Sequence, residues 1–317
     1  MMAEKKALRD AFGKTLVALG HEDPRIVALD ADLSGSTRTS WFAKEFPHRF
    51  FNAGVAEADM IGTAAGLASV GLIPFASTFA VFGTGRCYDQ IRQSVCLNES
   101  NVKIVVTHGG VTVGEDGASH QMLEDLSLMR GLPHMRVVVP SDYYETVAAV
   151  RCAAALEGPF FIRLTREKFP VIYAEGACPF ELGKAHTLRE GKDLGIAACG
   201  LLVHVALEAS ELLAAKGITT EVLNVSSIKP LDEAALEAMA RKTGAVLTME
   251  EHSVVGGLGS AVAETLGERF PVPLRRMGVR DSFGLSGKPE ELLEHFGLTA
   301  SGAVREAEAL LGRKAGG

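Results

Sequence analysis

The chain has 317 residues, of which 47% are hydrophobic and 22% charged, and a formal net charge of −7. That length suffices for two domains with cores of their own, and the acidic balance excludes a nucleic-acid platform, which needs a basic surface. The opening MMAEKKALRD has no apolar segment of a signal peptide. The five cysteines are scattered without a CxxC pair, so reduced thiols in a cytoplasm are expected.

In chain order, a helix is expected around 6–19 and a strand at RIVALD (25–30). A helix over 55–69 leads to the strand LIPFA (72–76), and a helix over 86–98 to VKIVVTH (102–108). A helix at 121–130 precedes MRVVVP (135–140), and one at 142–156 precedes PFFIRLT (159–165). These strands are apolar throughout and rich in β-branched residues, the mark of burial on both faces. The expected fold class is α/β, a parallel sheet with helices on both faces. From Met60 to Gly85 the chain carries no charge, a run longer than the ~20 residues that cross a bilayer. Pro74 and the glycines at 62, 66, 71, 83 and 85 interrupt it, so it reads as interior or interface, with no membrane span.

The pattern breaks over 171–192, which reads as a linker with room for a short strand. Alternation resumes with LGIAAC (194–199), TTEVLNV (219–225), AVLTME (245–250) and PLRRM (273–277), separated by helices at 201–216, 232–242 and 258–268. Residues 1–170 and 193–317 are thus expected to be two α/β domains, the second smaller.

Three stretches carry chemistry. In NAGVAEADM (52–60), Glu57 shares a helix face with Ile61 and Ala64, whereas Asp59 lies on the other side. Burial would disfavour the charged form of Glu57 and let it exchange a proton near neutrality; alternatively, a first-turn acid serves the helix N-terminus. THGGVTVGEDGASHQ (107–121) follows a strand, where open α/β sheets bind ligands. His108, Asp116 and His120 can converge there on a polar substrate. A zinc site would need ligand spacing that is absent, and a purely structural polar loop is the other alternative. In STFAVF (77–82), Phe79 and Phe82 are either core aromatics or an apolar slot for a ring. Arg163, Arg166 and Arg9 offer planar donor forks for phosphate. The glycines of VVGGLGSAVAE (254–264) read as a helix N-terminus and only a weak anion site.

Taken together, these stretches resemble transketolase, specifically its C-terminal half as found in two-chain transketolases. GVAEADM, ASTFAVF, THGGVTVGEDGASHQ, DADLSGST (30–37), RLTREKFP (163–170), MEEHSVVGGLGSAVAE (249–264) and DSFGLSGKPEELLEHFGLT (281–299) all fit, and the resemblance spans the whole chain. It implies a thiamine-diphosphate-binding fold followed by a transketolase C-terminal-like domain. Glu57 would then hydrogen-bond the aminopyrimidine of thiamine diphosphate, Phe79 and Phe82 would hold that ring, and Asp32 would lie near the cofactor. His108, Asp116 and His120 would meet substrate hydroxyls. Arg9, Ser36, His108 and Arg166 would take the sugar phosphate.

The family holds the cofactor diphosphate through Mg²⁺ or Ca²⁺ on a GDG motif, and no GDG occurs here. A GDG-bearing N-terminal-half subunit is therefore implied, in an assembly of two plus two chains. Departures from the family pattern are Ala56 and Ala58 beside Glu57, Gly85 in place of a tyrosine, and Gly109-Gly110 in place of Asp-Ser. The implied activity is transfer of a two-carbon ketol unit between sugar phosphates. The alternatives are a two-chain 1-deoxyxylulose 5-phosphate synthase-like enzyme, a 2-oxoacid dehydrogenase beta-type subunit, or a noncatalytic partner that kept the fold.

Overall fold

The computed structural model describes residues 4–315. A seven-stranded sheet runs in the order Ser227–Lys229, Arg136–Val138, Phe160–Arg163, Lys103–Thr107, Ile73–Phe79, Ile26–Asp30, Phe50–Asn52. All its pairings are parallel except the first. Both faces are covered, as continuous apolar strands require. Ile26 and Ala28 face a core with Phe12, Leu16 and Phe42, and Val27 and Leu29 face the opposite core with Met60, Ile61 and Ile91. The helices Leu8–Glu22 and Tyr143–Ala155 lie together on the first face.

A second sheet has five strands in the order Leu274–Val279, Val246–Ser253, Leu194–Ala198, Thr220–Asn224, His186–Arg189. It too is parallel except for its last strand. That antiparallel strand lies within the stretch read as a linker. Ser227–Lys229 crosses in the other direction: it follows the second sheet's Thr220–Asn224 yet pairs with Arg136–Val138 of the first.

Several local expectations need correction. The first helix is preceded by a short strand, Lys5–Ala7, which pairs antiparallel with Lys168–Pro170. The helix expected at 86–98 begins earlier, in a π-helical turn at Val81–Gly85, and continues through a second at Ile91–Cys96. In place of a helix over 121–130, Gly109 and Met122 form a parallel bridge, and the helix starts only at Asp125.

Asp142 ties the segment after the first unit to its last helix. Its Oδ1 accepts from the Glu145 amide at 2.8 Å, capping Tyr143–Ala155, and its Oδ2 accepts from the amides of Ile172 at 2.7 Å and Tyr173 at 2.8 Å. The side chain is 1% exposed, so water cannot replace it. Asp142→Ala strands these amides and is expected to destabilise the fold by about 3 kcal/mol, counting a lost cap and buried donors left unpaired. Asp142→Asn, which keeps one acceptor oxygen, should lose less; urea titration of both variants checks this.

Candidate active site

Four parallel strands of the first sheet end side by side at Asp30, Phe79, Thr107 and Arg163. Their registers pair Asp30 with Ser77, Phe79 with Thr107, and Val106 with Arg163. Side chains just beyond this carboxyl edge are therefore neighbours, the usual place for a ligand in such a sheet.

Phe79 is 7% exposed and the His108 ring lies against it, with centroids 3.7 Å apart and planes 22° from parallel. Phe82 also stacks on Phe79, with centroids 5.9 Å apart and planes 15° from parallel. His120 stands edge-on to both phenylalanines, at 5.4 Å from Phe82 and 6.5 Å from Phe79. The chain turns sharply after the strand, with φ +61° at His108 and +94° at Gly110. Thr107 Oγ1 pairs with His108 Nδ1 at 2.8 Å.

Glu57 opens the helix Glu57–Ser69 and is 4% exposed, with Ile61 and Ala64 buried beside it and Asp59 turned to solvent. The expected burial is present, and the carboxylate has a cationic partner. Its Oε1 accepts from Arg86 Nη1 at 3.0 Å, and Glu57 also stands as an acid in the first turn of its helix, whose N-cap Ala56 offers no side-chain cap. Arg86 is half-exposed, and its guanidinium lies 4.3 Å over the Phe82 ring. Glu57, Arg86 and Phe82 thus form one contiguous group with the two histidines.

Cations lie near His108 as well. Burial pushes the His108 imidazole down to about 3, and Arg9 and Arg166, the largest of the nearby charges, push the same way. Arg9 Nη1 donates to the Ser36 carbonyl at 3.2 Å, and its Nε is buried without a partner among the described residues. Burial, then the Arg38 charge, lowers the Arg9 pKa from its ordinary value. Arg166 donates to the Val113 carbonyl and lies 3.7 Å from the exposed Asp116. Arg9 and Arg166 also line a cleft of about 550 Å³ with Arg38, Lys5 and Lys168. Asp32 is exposed, in a left-handed turn at φ +63°, and hydrogen-bonds Asn52 instead of another of the expected site residues.

Two contributors were missed from sequence. Arg86 is the first charge after the uncharged run, a signal present but unread. Asp30 is fully buried and accepts from the Leu33 amide at 2.6 Å, Thr37 Oγ1 at 2.7 Å and Thr39 Oγ1 at 2.9 Å, so it shapes the turn carrying Ser36. Burial raises its pKa above the ordinary value.

Comparison with known proteins shows the family. The family profile "Transketolase, pyrimidine binding domain" matches residues 4–171, and "Transketolase, C-terminal domain" matches residues 183–302. The chain belongs to the transketolase family. It is 50% identical to a putative transketolase C-terminal section of Methanocaldococcus jannaschii, over 92% of either chain. It is 48% identical to a 6-deoxy-6-sulfo-D-fructose transketolase subunit of a Clostridium species, over 98% of this chain and 96% of the relative. Human transketolase matches at 38% identity over 98% of this chain but 50% of its own length. A solved structure described as a split gene transketolase, inactive beta4 tetramer, is 51% identical and superposes with a TM-score of 0.90, covering 98% of this chain and all of that one. The resemblance read from the motifs is thus established, as is the transketolase fold class in both units.

His108 should remain neutral throughout the physiological range. Its imidazole signals are expected to show no titration step in NMR spectra from about pH 8 to about pH 5, where an unperturbed histidine changes charge. Its folded value of about 3 lies below the ordinary 6.5, so its contribution to stability is complete above 6.5 and is lost as pH falls through that window.

Proposed function

We propose that this chain is the pyrimidine-side subunit of a two-chain, thiamine-diphosphate-dependent transketolase that moves a two-carbon ketol unit from a ketose phosphate to an aldose phosphate. The observation that carries the proposal is the buried Glu57 carboxylate joined, through Arg86 and Phe82, to the Phe79–His108–His120 group. These residues fit one half of the cofactor. A flat aminopyrimidine needs an apolar ring face and a carboxyl group to share a proton with its ring nitrogen, and Phe82 and Glu57 offer both. Arg86 is half-exposed, so it can yield the carboxylate to a ligand without being stranded in the interior. When bound, thiamine diphosphate supplies the acidic carbon at which a ketose is cleaved.

The remaining residues act on the sugar. His108 is neutral and held by Thr107, so it can accept from or donate to a substrate hydroxyl without a change of net charge. From the loop's far end His120 meets Phe79 and Phe82, and the exposed Asp116 lies beside Arg166 and is assigned to the substrate with it. Arg9 and Arg166, with Ser36 beside them, present positive charge suited to a sugar phosphate. Asp32 is assigned a place near the cofactor.

The partner is assigned as a GDG-bearing subunit holding Mg²⁺ or Ca²⁺ and the diphosphate, in an assembly of two plus two chains. Three features support a covering chain: the missing GDG, the exposed and uncharged Gly62, Thr63, Gly66 and Val70 on and directly after the helix that begins with Glu57, and the inactivity recorded for the β4 form of the split relative. The setting assigned is the cytoplasm, in keeping with five unpaired cysteines. No described helix is long and apolar enough to cross a membrane.

Reconstitution tests the assignment. The chain mixed with a GDG-bearing subunit, thiamine diphosphate and Mg²⁺ is expected to transfer ketol units between sugar phosphates. Glu57→Ala is expected to lower the rate by about 10²–10⁴-fold, the usual contribution of a positioned proton-transfer group. Full activity of that variant, or turnover of pyruvate without turnover of ketose, would overturn the proposal.

A further inference from the structure

Five ionisable side chains are packed beneath the substrate loop at 3% exposure or less: Asp125, Arg163, Glu250, Glu251 and His252. None has a part in the chemistry above. Three of them come from a single strand of the second sheet, Val246–Ser253. Glu250 acts close to its own strand. Its carboxylate accepts from the amides of Leu258 and Gly259, both at 2.8 Å, and closes the N-terminus of the helix Leu258–Arg269.

Glu251 reaches across to the first unit. Its Oε1 accepts from the Thr112 amide at 2.7 Å, and its carbonyl accepts from Arg163 Nη2 at 3.0 Å. Arg163 is held in turn by Asp125, through Nε at 2.7 Å, and by the Met122 carbonyl at 3.1 Å. The two glycines after His108 are the space through which these groups approach. A Cβ on Gly110 would fall 2.3 Å from the Glu251 carboxyl carbon, and one on Gly109 would fall 2.6 Å from Arg163 Nε. Here the departure from the family's Asp-Ser has a physical reason.

His108 sits in the left-handed region at φ +61°. A residue other than glycine held there costs about 1–3 kcal/mol and persists only where its surroundings over-determine it. The Gly110 amide bonds the Met122 carbonyl at 2.9 Å, the Gly109 amide bonds the Leu164 carbonyl at 3.1 Å, and the next anchor along the turn is the Thr112 amide on Glu251.

We infer that Glu251 is a positioning residue for His108: by gripping the Thr112 amide across the boundary between the two units, it sets the turn that lays the imidazole on Phe79. The second unit thereby takes part in substrate binding without touching substrate. The consequence for substrate rests on the transketolase assignment; the consequence for the His108 ring does not. Burial pushes the Glu251 carboxyl up to about 7, so glutamine, which keeps an oxygen for Thr112, is a close mimic of its protonated form.

Glu251→Ala, Glu251→Asp and Glu251→Gln in the full chain test this with two measurements. The first needs no turnover: NMR signals of the His108 ring, assigned through His108→Asn, carry the ring-current displacement of the Phe79 face. In Glu251→Ala that displacement should be lost, and in Glu251→Gln it should remain. Glu251→Asp keeps the carboxyl group but withdraws the acceptor by one methylene, so it carries the same expectation as alanine should the alanine variant not fold. The second measurement uses the enzyme assembled with its partner subunit. The alanine or aspartate variant is expected to lose roughly 100-fold in kcat/KM for the ketose, the scale of a small misplacement of a binding group, with thiamine diphosphate affinity unchanged; glutamine should restore most of the loss. Unmoved His108 signals in folded alanine and aspartate variants would overturn the inference, as would equal losses in substrate and cofactor binding in all three variants. If the wild-type pair transfers no ketol unit, the assigned reaction fails, and the NMR measurement still decides the role of Glu251.

Discussion

A guanidinium cannot rest in a protein interior without acceptors, and Arg163, 3% exposed, has its acceptors on three separate stretches of chain. Asp125 comes from the helix after the loop Thr107–Gln121, the Met122 carbonyl from just past that loop, and the Glu251 carbonyl from the second sheet. Removing one partner from such a buried pair typically costs about 3–5 kcal/mol, because the survivor is left uncompensated. The loop, the first sheet and the second unit therefore meet at one charged point. It lies directly under Gly109, and the site above it inherits that order.

A similar logic governs the other side of the site. The uncharged run from Met60 to Gly85 supplies a helix, the strand Ile73–Phe79 and a π-helical turn. Asp59 turns to water, while the buried Glu57 on one side of the run and the half-exposed Arg86 on the other close on each other. An apolar wall with one ion pair at its mouth keeps the carboxylate in place while leaving one of its partners removable. Further along the edge, His108 is kept neutral by burial and surrounding cations. Those cations, Arg9 and Arg166, reach it from distant parts of the chain, the first long helix and the stretch after the strand Phe160–Arg163.

Much of this was legible in the sequence, for identifiable reasons. The strands of the first sheet are apolar on both faces, and their length fixes their identity. Glu57, Ile61 and Ala64 announce a buried helix face by spacing alone. The loop from Thr107 to Gln121 stands out by its density of histidines, acids and glycines. Three-residue strands such as Lys5–Ala7 and Phe50–Asn52 are too short to show a period, and their existence depends on a distant partner. The π-helical turns at 81–96 shift the helical phase, so the pattern pointed to a later start. Above all, a linear pattern does not say which charge meets which. Arg86 lies 29 residues from Glu57, and Thr112 lies 139 from Glu251. Both pairings exist only once the sheets have formed.

The strand Ser227–Lys229 has a consequence for how such a molecule can change over evolutionary time. It lends the second unit's backbone to the outer edge of the first sheet. A chain severed between the two units would leave Arg136–Val138 with open amides and carbonyls, an invitation to pair with any passing strand. Recombination that trades one unit for another must therefore carry along a matching border segment, so the two units are bound to travel as a pair.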